Sequence, residues 1–197
     1  MINVLVIAER GGSGFFSPCG YLRLFLPLTK SGVERELNVR FVSVDGIDDY
    51  PADIVVTHRV ALISLDDVEK VQRYCRRTKA QWIFDLDDDL LALNDDHPES
   101  NHYHALKPII LSSAANADQM WASTSTLADT YRSITADVAV VPNTLDQRVW
   151  RPDAFRVYRH LDPQTGFRRA YRPRIRDAGP GIRRPCSFGN DRRARPD

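Results

Sequence analysis

Four carboxylates stand within five residues, at Asp85, Asp87, Asp88 and Asp89, directly after the apolar run Trp82-Ile83-Phe84. No interior strand tolerates that density of acid, because a buried carboxylate without a partner is strongly disfavoured. The apolar half therefore reads as a buried strand. The acidic half reads as its carboxyl end, opening into a crevice or solvent. Carboxylates so placed can accept from sugar hydroxyls, ligate a cation, or serve in acid–base and nucleophilic steps.

Other reactive types fall near the same end of the fold. His58-Arg59 follows the apolar run Asp53 to Thr57. His97, His102 and His104 sit in a polar stretch from Asn94 to His104. Their spacing is not the helical i,i+4 pattern of a metal pair, so no metal site is expected. A histidine titrates near neutral pH, which makes His58 and His104 candidate general bases beside Asp87. Gly11, Gly12 and Gly14 form a glycine-rich turn after the first apolar run, where backbone can approach a phosphate or sugar closely. The turn is neither GxxxxGK[ST] nor a clean GxGxxG. Cys19, Cys75 and Cys186 include no CxxC pair, which argues against a disulfide framework or a zinc site. Cys75 recurs with Leu65, Val68 and Val71 at helical spacing and reads as core.

The elements that must position these groups alternate along the chain. Continuous apolar runs at 2–7, 39–44, 53–57, 82–84, 119–123 and 138–141 are those of parallel strands buried on both faces. Helices are expected between them. One covers 19–28, with Leu22, Phe25 and Leu26 as its apolar side. A second follows the cap Ser64 with Asp66 and Asp67 in its first turn. A third covers 106–117. A fourth follows Thr124-Ser125-Thr126, with Leu127, Tyr131 and Ile134 as its apolar side. Six strands alternating with helices predict an α/β, Rossmann-like, doubly wound and mainly parallel sheet.

Length favours one domain, or one domain with a tail. The overall net charge of +1 offers nothing to nucleic acid. No apolar run approaches the length of a membrane span, and the first residues read as a strand, not a signal peptide. A cytoplasmic location is the expectation, with a peripheral contact at the inner face of the membrane left open. The balance hides an asymmetry. Residues 167–197 carry ten Arg, three Asp and no Lys, a net of +7, so the remainder sums to −6.

Val141-Pro142-Asn143-Thr144-Leu145-Asp146, with Trp150 soon after, resembles the segment that ends the N-terminal domain of retaining-type glycosyltransferases of the two-Rossmann-domain (GT-B) fold, family 4 or group 1. IFDLDDDLL and MWASTSTLADTY resemble the O-antigen and rhamnan branch of that group. The likeness spans about residues 1–155. It implies transfer of a sugar from a nucleotide-sugar co-substrate to a glycan acceptor in cell-surface polysaccharide synthesis, with no further cofactor. Residues 1–155 would be the acceptor-side domain. Carried onto this sequence, Gly11, Gly12 and Gly14 would face the cleft with Arg59, Asp87, Asp88 and Asn143. The resemblance further implies a donor-binding second domain with a Glu-x7-Glu element. Residues 156–197 have neither apolar periodicity nor that element. They read as a linker and a disordered Arg/Pro-rich tail, and as the out-of-frame product of a GC-rich gene. The expectation is then a truncated transferase whose donor domain is missing.

Three other readings stand beside this one. FDLDDDL is close to the FDLDxT motif of haloacid-dehalogenase-like phosphatases. There Asp85 would attack phosphorus and Asp87 would protonate the leaving group with magnesium between them. Asp85-x-Asp87 also fits the metal-binding DxD of the other glycosyltransferase fold. A non-catalytic glycan-binding remnant is the last.

Overall fold

A computed structural model describes residues 1–11, 14–135 and 137–144. Gly12, the segment 145–155 and the tail 156–197, on which several expectations fall, lie outside the described residues. Six strands form one sheet: β1 (Ile2–Ile7), β2 (Leu37–Phe41), β3 (Ile54–His58), β4 (Gln81–Leu86), β5 (Gln119–Ala122) and β6 (Val138–Val140). Every neighbouring pair is parallel, in the order β2-β1-β3-β4-β5-β6. The helices are α1 (Pro18–Gly20) and α2 (Leu26–Leu28), joined by a π turn over Tyr21–Phe25, then α3 (Leu65–Thr78), α4 (Ser100–Asn116) and α5 (Ser125–Tyr131). This is the doubly wound α/β arrangement the alternation predicts.

Alternate residues of β1 serve opposite faces. Leu5 and Ile7 pack with Val55 and Trp82 under Val68, Val71, Tyr74 and Cys75 of α3. Val4 and Val6 pack with Val56 and Ile83 against Leu24 on the other side. Phe84, Leu86, Met120 and Ala122 meet Ile110 and Ala114 of α4 and Leu127, Ala128 and Tyr131 of α5. Both faces are covered, which is why these strands read as unbroken apolar runs. Cys75 is buried core, as its spacing predicts.

Several boundaries move. β2 ends at Phe41, because Ser43 caps a 3-10 turn over Val44–Asp49 by accepting from the Gly46 N–H. α3 has the expected start: Ser64 Oγ accepts from Asp67 N and Asp67 Oδ2 accepts from Ser64 N. Leu65 nevertheless lies outside the core, 49 % exposed. α4 begins at Ser100, so His102 and His104 are helical and not in a loop. Polar residues and Pro108 hide that start in the sequence, whereas Ser100 and Tyr103 are buried and anchor it. Ile134 falls beyond α5 and is partly exposed. The stretch 18–28 turns Gly20 and Leu24 fully inward, with Arg23 beside them, and leaves Leu22 40 % exposed. Of the expected apolar side, Leu26 is buried and Phe25 packs against Phe16 and Phe41, while Leu22 turns out and Gly20 and Leu24 take the inward place instead. No helix among the described residues is long and apolar enough to cross a membrane.

Candidate functional site

The parallel order brings the carboxyl ends of β1, β3, β4, β5 and β6 to one edge of the sheet. His58 of β3 lies in register with Asp85 of β4. The Arg59 amide continues that ladder by donating to the Asp85 carbonyl at 2.9 Å. Arg59 then takes a left-handed backbone, φ 50°. That conformation is strained for a residue with a Cβ and persists where surrounding contacts hold it.

Those contacts are numerous. Arg59 Nη1 donates to Cys19 Sγ at 3.0 Å, Asp87 Oδ1 at 3.1 Å and Asp88 Oδ2 at 3.0 Å. Nη2 donates to the Tyr103 hydroxyl at 3.3 Å. Nε stands 3.3 Å from Glu9 Oε2 as an ion pair, not a hydrogen bond. Burial pulls the guanidinium's pKa down, but Asp87 and Glu9 more than offset it and the net shift is upward. Cys19 Sγ, Asp87 and Asp88 are the described trio whose geometry resembles a cation site. The Arg59 guanidinium reaches all three and supplies the positive charge itself.

A second arginine organises the neighbouring strand end. Arg23 makes a bidentate pair with Asp85, and its Nη1 donates to the Val141 carbonyl at 2.8 Å and to Asn143 Oδ1 at 2.9 Å. One side chain thus ties the acidic end of β4 to the segment after β6. Burial pushes the Asp85 carboxyl up to about 6, with Arg23 pulling it back down. Asp85 faces Arg23, not solvent.

The predicted residues divide accordingly. Asp87 and Asp88 meet at Arg59; the Asp87 side chain is 6 % exposed and that of Asp88 63 %. Asn143 is exposed and lies beside Arg23. Gly11 and Gly14 belong to a loop closed on itself. The Gly11 amide donates to Phe15 O and the Gly14 amide to Gly11 O, so neither is free for a phosphate. His104 is exposed on α4. His58 is 0 % exposed, and neither ring nitrogen has a hydrogen-bond partner among the described residues. Burial lowers its pKa to about 3, with Asp87 acting the other way. A buried imidazole that stays neutral to such acidity does not suit a general base working near pH 7. Burial, then Asp87, raises the Cys19 thiol to about 11, which disfavours the thiolate near pH 7.

Arg23, Glu9 and Tyr103 are absent from the sequence reading. Arg23 has a faint signal, a cation between Leu22 and Leu24 on an otherwise apolar helix. Glu9 and Tyr103 have none, because their partner is brought to them by the sheet. In comparison with known proteins, the chain matches no family model, no curated protein and no solved structure.

Proposed function

We propose that the crevice beyond β3, β4 and β6 binds a sugar, and that the chain works in glycosyl transfer from a nucleotide-sugar to a glycan acceptor. One observation carries this. Arg23 holds Asp85 and Asn143 together, so the two segments with glycosyltransferase resemblance meet beyond the carboxyl ends of β4 and β6. There the roles separate by exposure. Asp85 and Asp87 are shielded and neutralised by arginines, and form the frame. Asp88 and Asn143 remain open and offer carboxylate and amide groups to vicinal hydroxyls. Ionised acceptors make the stronger hydrogen bonds to such groups. A cluster of polar groups at the carboxyl ends of parallel strands is where open α/β sheets take ligands.

The test is an NMR titration of the full isotope-labelled chain with free hexoses, deoxyhexoses and nucleotide-sugars, joined to an assay for transfer of labelled sugar to glycans. Saturable shifts at Asp88 and Asn143, weakened in Asp88→Asn and Asn143→Ala, support the reading. Transfer extends it to an enzyme, and shifts without transfer indicate a glycan-binding unit. No shift with any sugar sinks it.

A further inference from the structure

We infer a ribonucleoside site in the crevice over the carboxyl end of β1, separate from the cluster at β3, β4 and β6. The chain leaves β1 for β2 on one side and returns to β3 on the other. The switch point therefore lies at β1, and open α/β sheets take nucleotides in the crevice at such a point. A cavity of about 280 Å³ sits there. Its floor is Ile7 and Ala8 at the end of β1. Val42 and Val44, after β2, form one wall, and Val60 and Ile63, after β3, form the other. Ile63 is 73 % exposed, a large apolar side chain left open beside the cavity. Apolar walls around a strand end suit a flat heteroaromatic ring.

Two of the polar groups at this cavity match the rest of a nucleotide; a further acid in the lining, Asp67, accepts from the Ile63 and Ser64 amides. Asp45, just past β2, lines it. Its side chain is 92 % exposed and, among the described residues, makes a long 3.4 Å contact to Lys70 Nζ. A surface pair of that kind is weak, so the carboxylate is available to the two ribose hydroxyls. An acid just past the second strand performs that task in dinucleotide-binding α/β units. Arg10 is the cation in the lining. It lies over the Phe16 ring and donates to the Gly14 carbonyl at 2.9 Å. Because the Gly11 and Gly14 amides are used inside their loop, Arg10 is, among the described residues, the group that meets a 5′-phosphate. The volume falls just below the roughly 300–1,000 Å³ of small-molecule sites. That is room for a base and its ribose, with the phosphates outside over Arg10.

The inference does not rest on sugar transfer, since any ribonucleotide would fit. It also departs from the resemblance, which assigns the donor nucleotide to a second domain. The test titrates the full labelled chain with ADP and UDP, with their 2′,3′-dideoxy analogues, and with inorganic pyrophosphate. Saturable shifts are expected at Ile7, Ala8, Ser43, Asp45 and Val60. Loss of the ribose hydroxyls is expected to weaken binding by about tenfold. Asp45→Asn is expected to weaken ADP and UDP by as much and to abolish their advantage over the dideoxy analogues. Asp45 is exposed, so an unchanged melting temperature checks that the variant is folded. A preference for either base upholds the site and names the base. Pyrophosphate binding as well as the nucleotides, dideoxy analogues binding equally, or no shift at these residues would each overturn it. Ligands without a hexose, read at these residues, keep the result separate from the hexose titration.

Discussion

Arg23 grips both oxygens of Asp85. Its Nε lies 2.9 and 2.8 Å from the two, and its Nη2 lies 2.7 Å from Oδ1. The Asp85 side chain is 0 % exposed and that of Arg23 4 %. Two charges removed from water cost more than their attraction returns unless the geometry is good and the remaining donors are satisfied. Here Val141 O and Asn143 Oδ1 take up the other end of the guanidinium. The pair belongs to the frame of the site.

Removing one partner leaves an uncompensated buried charge. Arg23→Met is expected to lower unfolding free energy by about 3–5 kcal/mol in urea denaturation. The double variant Arg23→Met, Asp85→Leu should recover a large part of that loss. A single variant as stable as the parent would mean that the pair does not hold the strand end.

Acid should destabilise the fold through His58. Its folded pKa is about 3 against an ordinary 6.5, so the unfolded chain binds a proton that the folded chain refuses. Stability then falls as pH drops from 6.5 toward 3, by up to about 1.4 kcal/mol per pH unit. Asp85 works the other way. Its carboxyl rises from 3.8 to about 6, so its contribution falls as pH rises through that window. His58→Gln removes the first slope and leaves the second. The variant should gain on the parent between about pH 7 and about pH 4.5 in urea midpoints. An equal difference at both pH values would contradict the buried, neutral imidazole.

Phosphatase chemistry needs an accessible nucleophile. Asp85 is fully buried with both oxygens on Arg23. With magnesium and an aryl phosphate the chain is expected to release no phosphate. Hydrolysis that disappears in Asp85→Asn would reverse that reading.

Trp82 Nε1 donates to Thr57 Oγ1 at 2.9 Å inside the core between β3 and β4. Thr57→Val strands the indole N–H and is expected to cost about 1–3 kcal/mol. Thr57→Ser keeps the acceptor and should stay closer to the parent in the same denaturation experiment.

Lys79 ends α3 in the left-handed region, φ 61°, on the surface. Glycine adopts that conformation without the Cβ clash. Lys79→Gly should raise stability by about 1 kcal/mol, read as a higher melting temperature.

The central strands β1, β3 and β4 are legible in the sequence because they are buried on both faces, which leaves largely apolar runs such as INVLVI or QWIF. The capping box at Ser64 and Asp67 is legible for a similar reason: its partners are three residues apart and answer to local geometry. The crowding of acids after Trp82-Ile83-Phe84 marks the end of β4 by itself, although the first of them, Asp85, still lies within the strand and is fully buried. Tertiary structure alone decided what neutralises them. Arg59 reaches Asp87 from the end of the neighbouring strand, and Arg23 reaches Asp85 from a helical turn far earlier in the chain. The same holds for His58, whose burial follows from its neighbours in the sheet and not from its own type. Local pattern records which face a residue turns. Charge pairing between distant segments exists only once the parallel sheet has brought its strand ends together.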